Sequence, residues 1–241
     1  GHCDLLLNVH SLHRLSEAWL ALPRIGAFNL HPGPLPECAG LNAPSWSIWH
    51  DLPEHGATLH WMDAAIDAGP IAFAERFPLT STDTGLTVAT RTAKLGLGLL
   101  DALLDAAGNG TIPQVAQVTG HRRLFFSGPP HRGEFDWQWP AERVVRLWRA
   151  CDYGPFGAPW GHPWFATNQG TVAVRKVSLA PPSSVVAGAR GVAIPVLGEA
   201  EDEVPTGADI GCAVAAVRVA ELRLGSRWVP AGQALHLFDS G

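Results

Sequence analysis

Apolar and polar positions alternate in short blocks through the first half of the chain, and their spacing predicts strands and helices in turn. Residues 5–9 read as a core-type strand, and Ser16 then caps a short helix within 15–22 that Pro23 stops. The run at 25–28 is apolar and bounded by Gly and Pro, which suits a strand covered on both faces. It continues into Asn29-Leu30-His31, where strand alternation puts Asn29 and His31 on one face. Pro32 ends the ladder and Gly33-Pro34 turns the chain away. An amide and an imidazole thus share a strand's carboxyl end, the edge at which open α/β sheets bind ligands.

Residues 43–51 form the next predicted helix, with Pro44 near its start, Asn42 as N-cap, and Trp46 and Trp49 packing on the sheet. His50 and His55 read as surface or cap residues. Strands follow at about 56–61 and at 71–77, joined by a tight loop that presents Asp67. A long helix then starts from a cap at Asp83 or a neighbouring Thr and ends at Gly108-Asn109-Gly110. Leu86, Ala93, Leu97, Leu100 and Leu104 recur along it as one expected buried stripe.

Past this helix the pattern changes. Residues 113–134 are rich in Pro, Gly, His and Arg and read as a linker between a first domain at 1–112 and a second at 135–241. The second domain opens with a helix at 141–150 behind Pro140, its inner face Val144, Leu147 and Cys151, followed by a rigid aromatic loop at 152–160. Short β-type runs at 171–177, 185–186, 191–196, 212–219 and 221–224 suggest a small barrel, with a solvated acidic loop at 199–203.

Composition narrows the partners. A net charge of −5 with 16% charged residues offers no basic face for a phosphate backbone, so nucleic acid is disfavoured. The four cysteines form no CxxC and no dense framework, which suits structural thiols in a reducing cytoplasm. No apolar run reaches bilayer length, and no membrane role is expected. His10 and His13 have the i, i+3 spacing of a metal pair but lack a third ligand nearby, so no metal is expected.

Three motifs occur in order: Asn29-Leu30-His31-Pro32, Leu35-Pro36 followed by Gly40, and Asp67-Ala68-Gly69. Together they resemble the signature of the N10-formyltetrahydrofolate-dependent formyltransferases. Many members carry Thr between the Asp and the Gly, where this chain has Ala68. The resemblance implies an α/β fold, a Rossmann-like sheet followed by a small OB-like β-barrel domain. Relatives have an opening α/β portion before the strand at 5–9, so it also implies a sheet whose first strands are missing here, and either a chain that is part of a larger multidomain protein or one that is incomplete as a catalyst by itself.

The resemblance further implies transfer of a formyl group from 10-formyltetrahydrofolate, as co-substrate, to an amine without a metal. Asn29 would then be the donor to the oxyanion, a contribution of roughly 3 kcal/mol for a preorganised group. His31 would add a hydrogen bond and help N10 leave, and Asp67 would hold the imidazole and accept the amine proton. Leu12, His13 and Leu15, in the turn after the first strand, with Ala65 and Asp67, are the implied folate contacts. Singly, a turn-forming Asn, a buried His and a capping Asp are ordinary structural residues; at one sheet edge they point to catalysis.

The stretch from Gly33 to Ala43, with His60-Trp61-Met62-Asp63, looks most like the formylation domains joined to nonribosomal peptide synthetases. The expected acceptor is therefore a small-molecule amine, an amino acid or an aminoacyl group held on a carrier protein. A methionyl-tRNA or sugar-nucleotide formyltransferase, and an inactive binding module of the same fold, remain alternatives.

Overall fold

A computed structural model describes residues 3–11, 13–182, 193–196, 207–212 and 215–238. The expected folate contact Leu12, the runs at 185–186 and 191–192, and the acidic loop at 199–203 lie outside the described residues. The chain divides into two compact units, Gly1–Ser127 and Gly128–Gly241.

In the first unit, β1 (Leu5–Val9) runs parallel to β2 (Gly26–His31), and β2 pairs antiparallel with β4 (Glu54–Trp61), which pairs antiparallel with β5 (Ile71–Pro78). The order is β1-β2-β4-β5. Between these strands lie the short helix α1 (Glu17–Leu20), the two-residue β3 (Ala39–Gly40) and helix α2 (Ala43–Trp49). Helix α3 (Gly85–Gly108) closes the unit's core, with the Thr84 side chain accepting from the Thr87 N–H and Thr87 returning a bond to the Thr84 N–H.

The two faces of this sheet differ as strand alternation requires. Phe28, Leu30, Ala57 and Leu59 project from β2 and β4 into a core shared with Leu99 and Leu103 of α3. Asn29, His31, Thr58 and His60 occupy the alternate positions, so the polar face is the one turned away from that core. The buried stripe of α3 is Val88, Thr92, Gly96, Leu99 and Leu103, which corrects the expected one: Leu97 is 65% exposed and Leu104 53%. The small residues explain the shift, because Gly96 brings the helix against the Leu30 side chain, where an added Cβ would sit 2.7 Å from Cδ2.

Two further expectations are corrected. His55 is fully buried, its Nδ1 bonded to Ser47 Oγ at 2.6 Å and its Nε2 donating to the Pro32 carbonyl at 3.1 Å, and burial pushes its pKa down to about 3. Asn42 does precede α2, but its side chain makes no capping bond and donates instead to the Ser127 carbonyl.

The stretch read as linker also has structure. Val115 exchanges backbone bonds with Ile71, and β6 (Leu124–Phe125) pairs in parallel with β3. Trp46 stacks on Phe125 with ring centres 4.8 Å apart and donates to the Phe126 carbonyl, so it packs on this segment.

In the second unit, helix α4 (Ala141–Cys151) buries Val144, Leu147 and Cys151. A six-stranded sheet follows, ordered β7 (Trp164–Thr167), β8 (Gly170–Leu179), β11 (Ala216–Leu224), β10 (Gly207–Gly211) and β9 (Ala193–Val196), with β12 (Arg227–Pro230) also pairing with β11. All of its pairings are antiparallel. The runs expected at 212–219 and 221–224 are corrected to one strand, β11, with Cys212 outside it and its N–H donating to the Ala215 carbonyl. Among the described residues no helix is long and apolar enough to cross a membrane.

The position of the α3 stripe sets an outcome for mutagenesis. Leu103→Ala, at a side chain with no exposure, is expected to cost about 2–5 kcal/mol, whereas Leu97→Ala, at 65% exposure, is expected to leave the urea midpoint nearly unchanged. Equal effects from the two would refute this packing.

Candidate active site

Asn29 and His31 end β2 on its polar face, and Asp67 reaches them from the loop between β4 and β5. The loop can deliver the carboxylate because its ends are held tightly. Gly69 lies so close to β4 that an added Cβ would stand 2.0 Å from the Trp61 carbonyl oxygen. Asp67 itself has φ of 48°, a left-handed conformation that needs outside support. That support comes from the stretch expected to be a linker: Gln117 donates to the carbonyls of Asp67 and Gly69 at 3.0 and 2.8 Å, and Arg122 to those of Asp67 and Ile66 at 2.9 and 2.5 Å.

The carboxylate is enclosed. Oδ2 accepts the Gly40 N–H at 2.8 Å and faces His31 Nδ1 at 3.4 Å, while Oδ1 accepts Asn29 Nδ2 at 3.2 Å and lies 3.4 Å from His60 Nε2. Gly40 is a glycine for two reasons, a φ of 91° and an approach to β6 that would put a Cβ 2.2 Å from the Phe125 carbonyl oxygen. Burial would raise the pKa of Asp67, but the neighbouring His60 and His31 rings and the Gly40 N–H outweigh it and hold the carboxyl at about 2.

Fixed acceptors set the polarity of the imidazoles. Cys38 offers only a carbonyl to His31 Nε2, 2.6 Å away, so that nitrogen carries hydrogen and Nδ1 turns its lone pair toward Asp67. Burial pushes the His31 pKa down, while Asp67 pulls it back up. His31 is therefore poised as an acceptor beside a permanent negative charge. His60 Nδ1 donates to the Trp61 carbonyl at 2.8 Å, which leaves Nε2 to accept from Asn29 at 3.1 Å. The Asn29 oxygen accepts from Asn8 Nδ2 at 2.8 Å.

The structure thus brings Asn29, His31 and Asp67 together. Of the expected folate contacts, His13 and Ala65 are exposed and Leu15 is half-buried. Their two loops are joined by Arg14, which donates to the Ala64 carbonyl at 3.1 Å, and the Ala65 N–H donates to Asp63. Sequence reading passed over His60, Gln117 and Arg122 as site residues. The first was findable, since 58 and 60 are the polar positions of a strand otherwise apolar at 57, 59 and 61. The other two sit in Pro- and Gly-rich sequence with no periodicity to betray a docked segment. No cluster of three or more metal-ligating side chains occurs among the described residues.

Comparison with known proteins identifies the two units. A family profile described as formyl transferase matches residues 2–103, and one described as formyl transferase, C-terminal domain, matches 129–235. Solved structures share the fold. HypX from Aquifex aeolicus, in complex with tetrahydrofolic acid, is 17% identical with a TM-score of 0.72, over 99% of this chain and 39% of that one. A 4-N formyltransferase from Francisella tularensis is 22% identical with a TM-score of 0.62, over 72% and 70%. An N-formyltransferase from Helicobacter canadensis, with folinic acid and dTDP-3-aminofucose, is 18% identical with a TM-score of 0.57, over 81% and 66%. The chain spans about two-fifths of the length of HypX.

The depressed Asp67 pKa makes stability depend on pH. Its folded value of about 2 lies below the ordinary 3.8, so the carboxylate contributes about 2 kcal/mol that is complete above about pH 4 and drains away as pH falls toward about 2. Asp67→Asn should flatten the acid limb of a stability curve over that window, and an unchanged limb would show that the enclosure carries no charge preference.

Proposed function

Since the chain belongs to the formyl transferase family, we propose that it transfers the formyl group of 10-formyltetrahydrofolate to an amine, with Asn29, His31 and Asp67 as its catalytic residues. The observation that carries this reading is the convergence of an amide and an imidazole from β2 on one anionic carboxylate from the β4–β5 loop, at 3.2 and 3.4 Å.

The amine nitrogen attacks the formyl carbon, and the carbonyl electron pair moves onto oxygen. Asn29 Nδ2–H is the donor to that oxygen. The proton lost by the amine is taken up by the His31–Asp67 pair, whose Nδ1 and Oδ2 face each other at 3.4 Å. Asp67 stays anionic at neutral pH, so it stabilises an imidazolium as soon as one forms. As the pair takes the proton, the Asn29 N–H is held less strongly by the neutralised site and turns to the developing oxyanion. The C–N10 bond then breaks, and the same proton passes to N10, giving a formamide and tetrahydrofolate.

For the acceptor we infer an amino acid or a carrier-bound aminoacyl group, in a cytoplasmic protein that makes peptide natural products. The turn composition from Gly33 to Ala43 supports this, as does a net charge of −5, which suits no polyanion. In the same reading the second unit is an OB-like module that grips the acceptor, and the turn at 12–15 with Ala65 meets the folate. A sugar-nucleotide amine is the second reading, favoured by the Helicobacter canadensis structure that shares the fold.

The test is direct. The protein is incubated with 10-formyltetrahydrofolate and, in turn, a free amino acid, an aminoacyl thioester on a carrier protein, and a dTDP-linked amino sugar, while tetrahydrofolate release and acceptor mass are followed. Amine-dependent release with an aminoacyl acceptor is expected, falling on the order of 10²–10⁴-fold in Asp67→Asn. Release that ignores the amine would make the reaction a hydrolysis, and failure to bind the folate would reduce the fold to a binding module.

A further inference from the structure

Asn8 stands outside the three motifs, yet the strand register places it in line with them. It pairs with Asn29 across β1 and β2, and Asn29 pairs with His60 across β2 and β4. Three polar side chains therefore form one row across the sheet, and each link of the row has a fixed direction. The Trp61 carbonyl can only accept, so His60 Nδ1 carries the hydrogen and Nε2 presents a lone pair. That lone pair and Asp67 Oδ1 both require hydrogens from Asn29, at 3.1 and 3.2 Å, which turns the amide nitrogen toward them. The amide oxygen is left facing β1, where Asn8 Nδ2 donates to it at 2.8 Å.

An amide has two orientations of nearly equal shape, and Asn29 is useful to an oxyanion in only one of them. Turned over, it would oppose its oxygen to the His60 lone pair and to the Asp67 carboxylate, and would show a developing oxyanion an acceptor. We propose that Asn8 is a positioning residue which locks Asn29 with its amide nitrogen toward His60 and Asp67, the one orientation from which an N–H can turn to the oxyanion; this rests on the formyl-transfer reading of Asn29. The donor must be neutral and must carry hydrogen on the side facing β2. An asparagine meets both conditions, and an aspartate of the same shape meets neither at neutral pH.

That difference supplies the experiment. Asn8→Ala removes the donor, whereas Asn8→Asp substitutes a charged acceptor that attracts the Asn29 N–H and turns the amide over. With 10-formyltetrahydrofolate and whichever of the three acceptors above turns over fastest, kcat is expected to fall on the order of 10-fold in Asn8→Ala and 10²-fold or more in Asn8→Asp, with KM for the folate little changed. The Asn8→Asp deficit should shrink as pH falls and the new carboxyl gains a hydrogen, while the Asn8→Ala deficit stays constant with pH. An activity-independent readout is the Asn29 side-chain amide resonance, identified by its loss in Asn29→Ala, which should shift in Asn8→Asp and titrate with the new carboxyl. Equal, pH-independent deficits in the two Asn8 variants, with an unmoved Asn29 resonance, would overturn the proposal. Wild-type turnover in Asn29→Ala would instead overturn the catalytic reading on which it rests.

Discussion

The antiparallel register of β4 against β2 is the constraint from which the rest of the site follows. It sets Leu30 opposite Leu59 on the core face and Asn29 opposite His60 on the polar one. A slip of β4 by one residue would send His60 into the packing with α3 and Leu59 out of it. The register is therefore held from two sides at once, by apolar burial below and by directed hydrogen bonds above. A functional site built on such a pair inherits its rigidity.

The enclosed carboxylate shows how this rigidity is used. A buried anion is costly unless its lone pairs are met, and here they are met by a backbone N–H and an amide N–H, with two imidazole rings 3.4 Å away. None of the four can move without unsettling the others, since Gly40 is tied to β6 and the amide to two neighbouring strands. The second polar cluster, in which His55 joins Ser47 to the Pro32 carbonyl, secures the turn directly after His31 from beneath. Thr58 adds to this by donating to the Gly33 carbonyl while accepting the Leu35 N–H. The turn is thus fastened to β4 along much of its length.

Much of this was legible in the amino-acid sequence, because it depends on local periodicity and on short motifs with fixed spacing. The strands around Asn29 and His31, the loop bearing Asp67 and the helix α4 were each marked by alternation, by Gly and Pro, or by apolar positions at helical spacing. What was hidden depends on partners distant in the chain. The α3 stripe was misread because leucines signal burial more loudly than Thr92 and Gly96, whose small size is what lets the helix approach. His55 was misread because only its two partners make burial of an imidazole tolerable. Gln117 and Arg122 were invisible because their work is done on carbonyls about fifty positions earlier.

That long-range support has a consequence for how such proteins can be cut and rejoined. The composition change after residue 112 invites a breakpoint there, but the strap formed by 115–127 is part of the first unit, and the loop bearing Asp67 hangs from it. A chimaera spliced at 112 would keep every motif residue and yet lose the scaffolding that holds the Asp67 backbone in its left-handed turn. Recombination that preserves the site has its natural seam beyond Ser127, so the unit that can be inherited intact is longer than the one its motifs mark out.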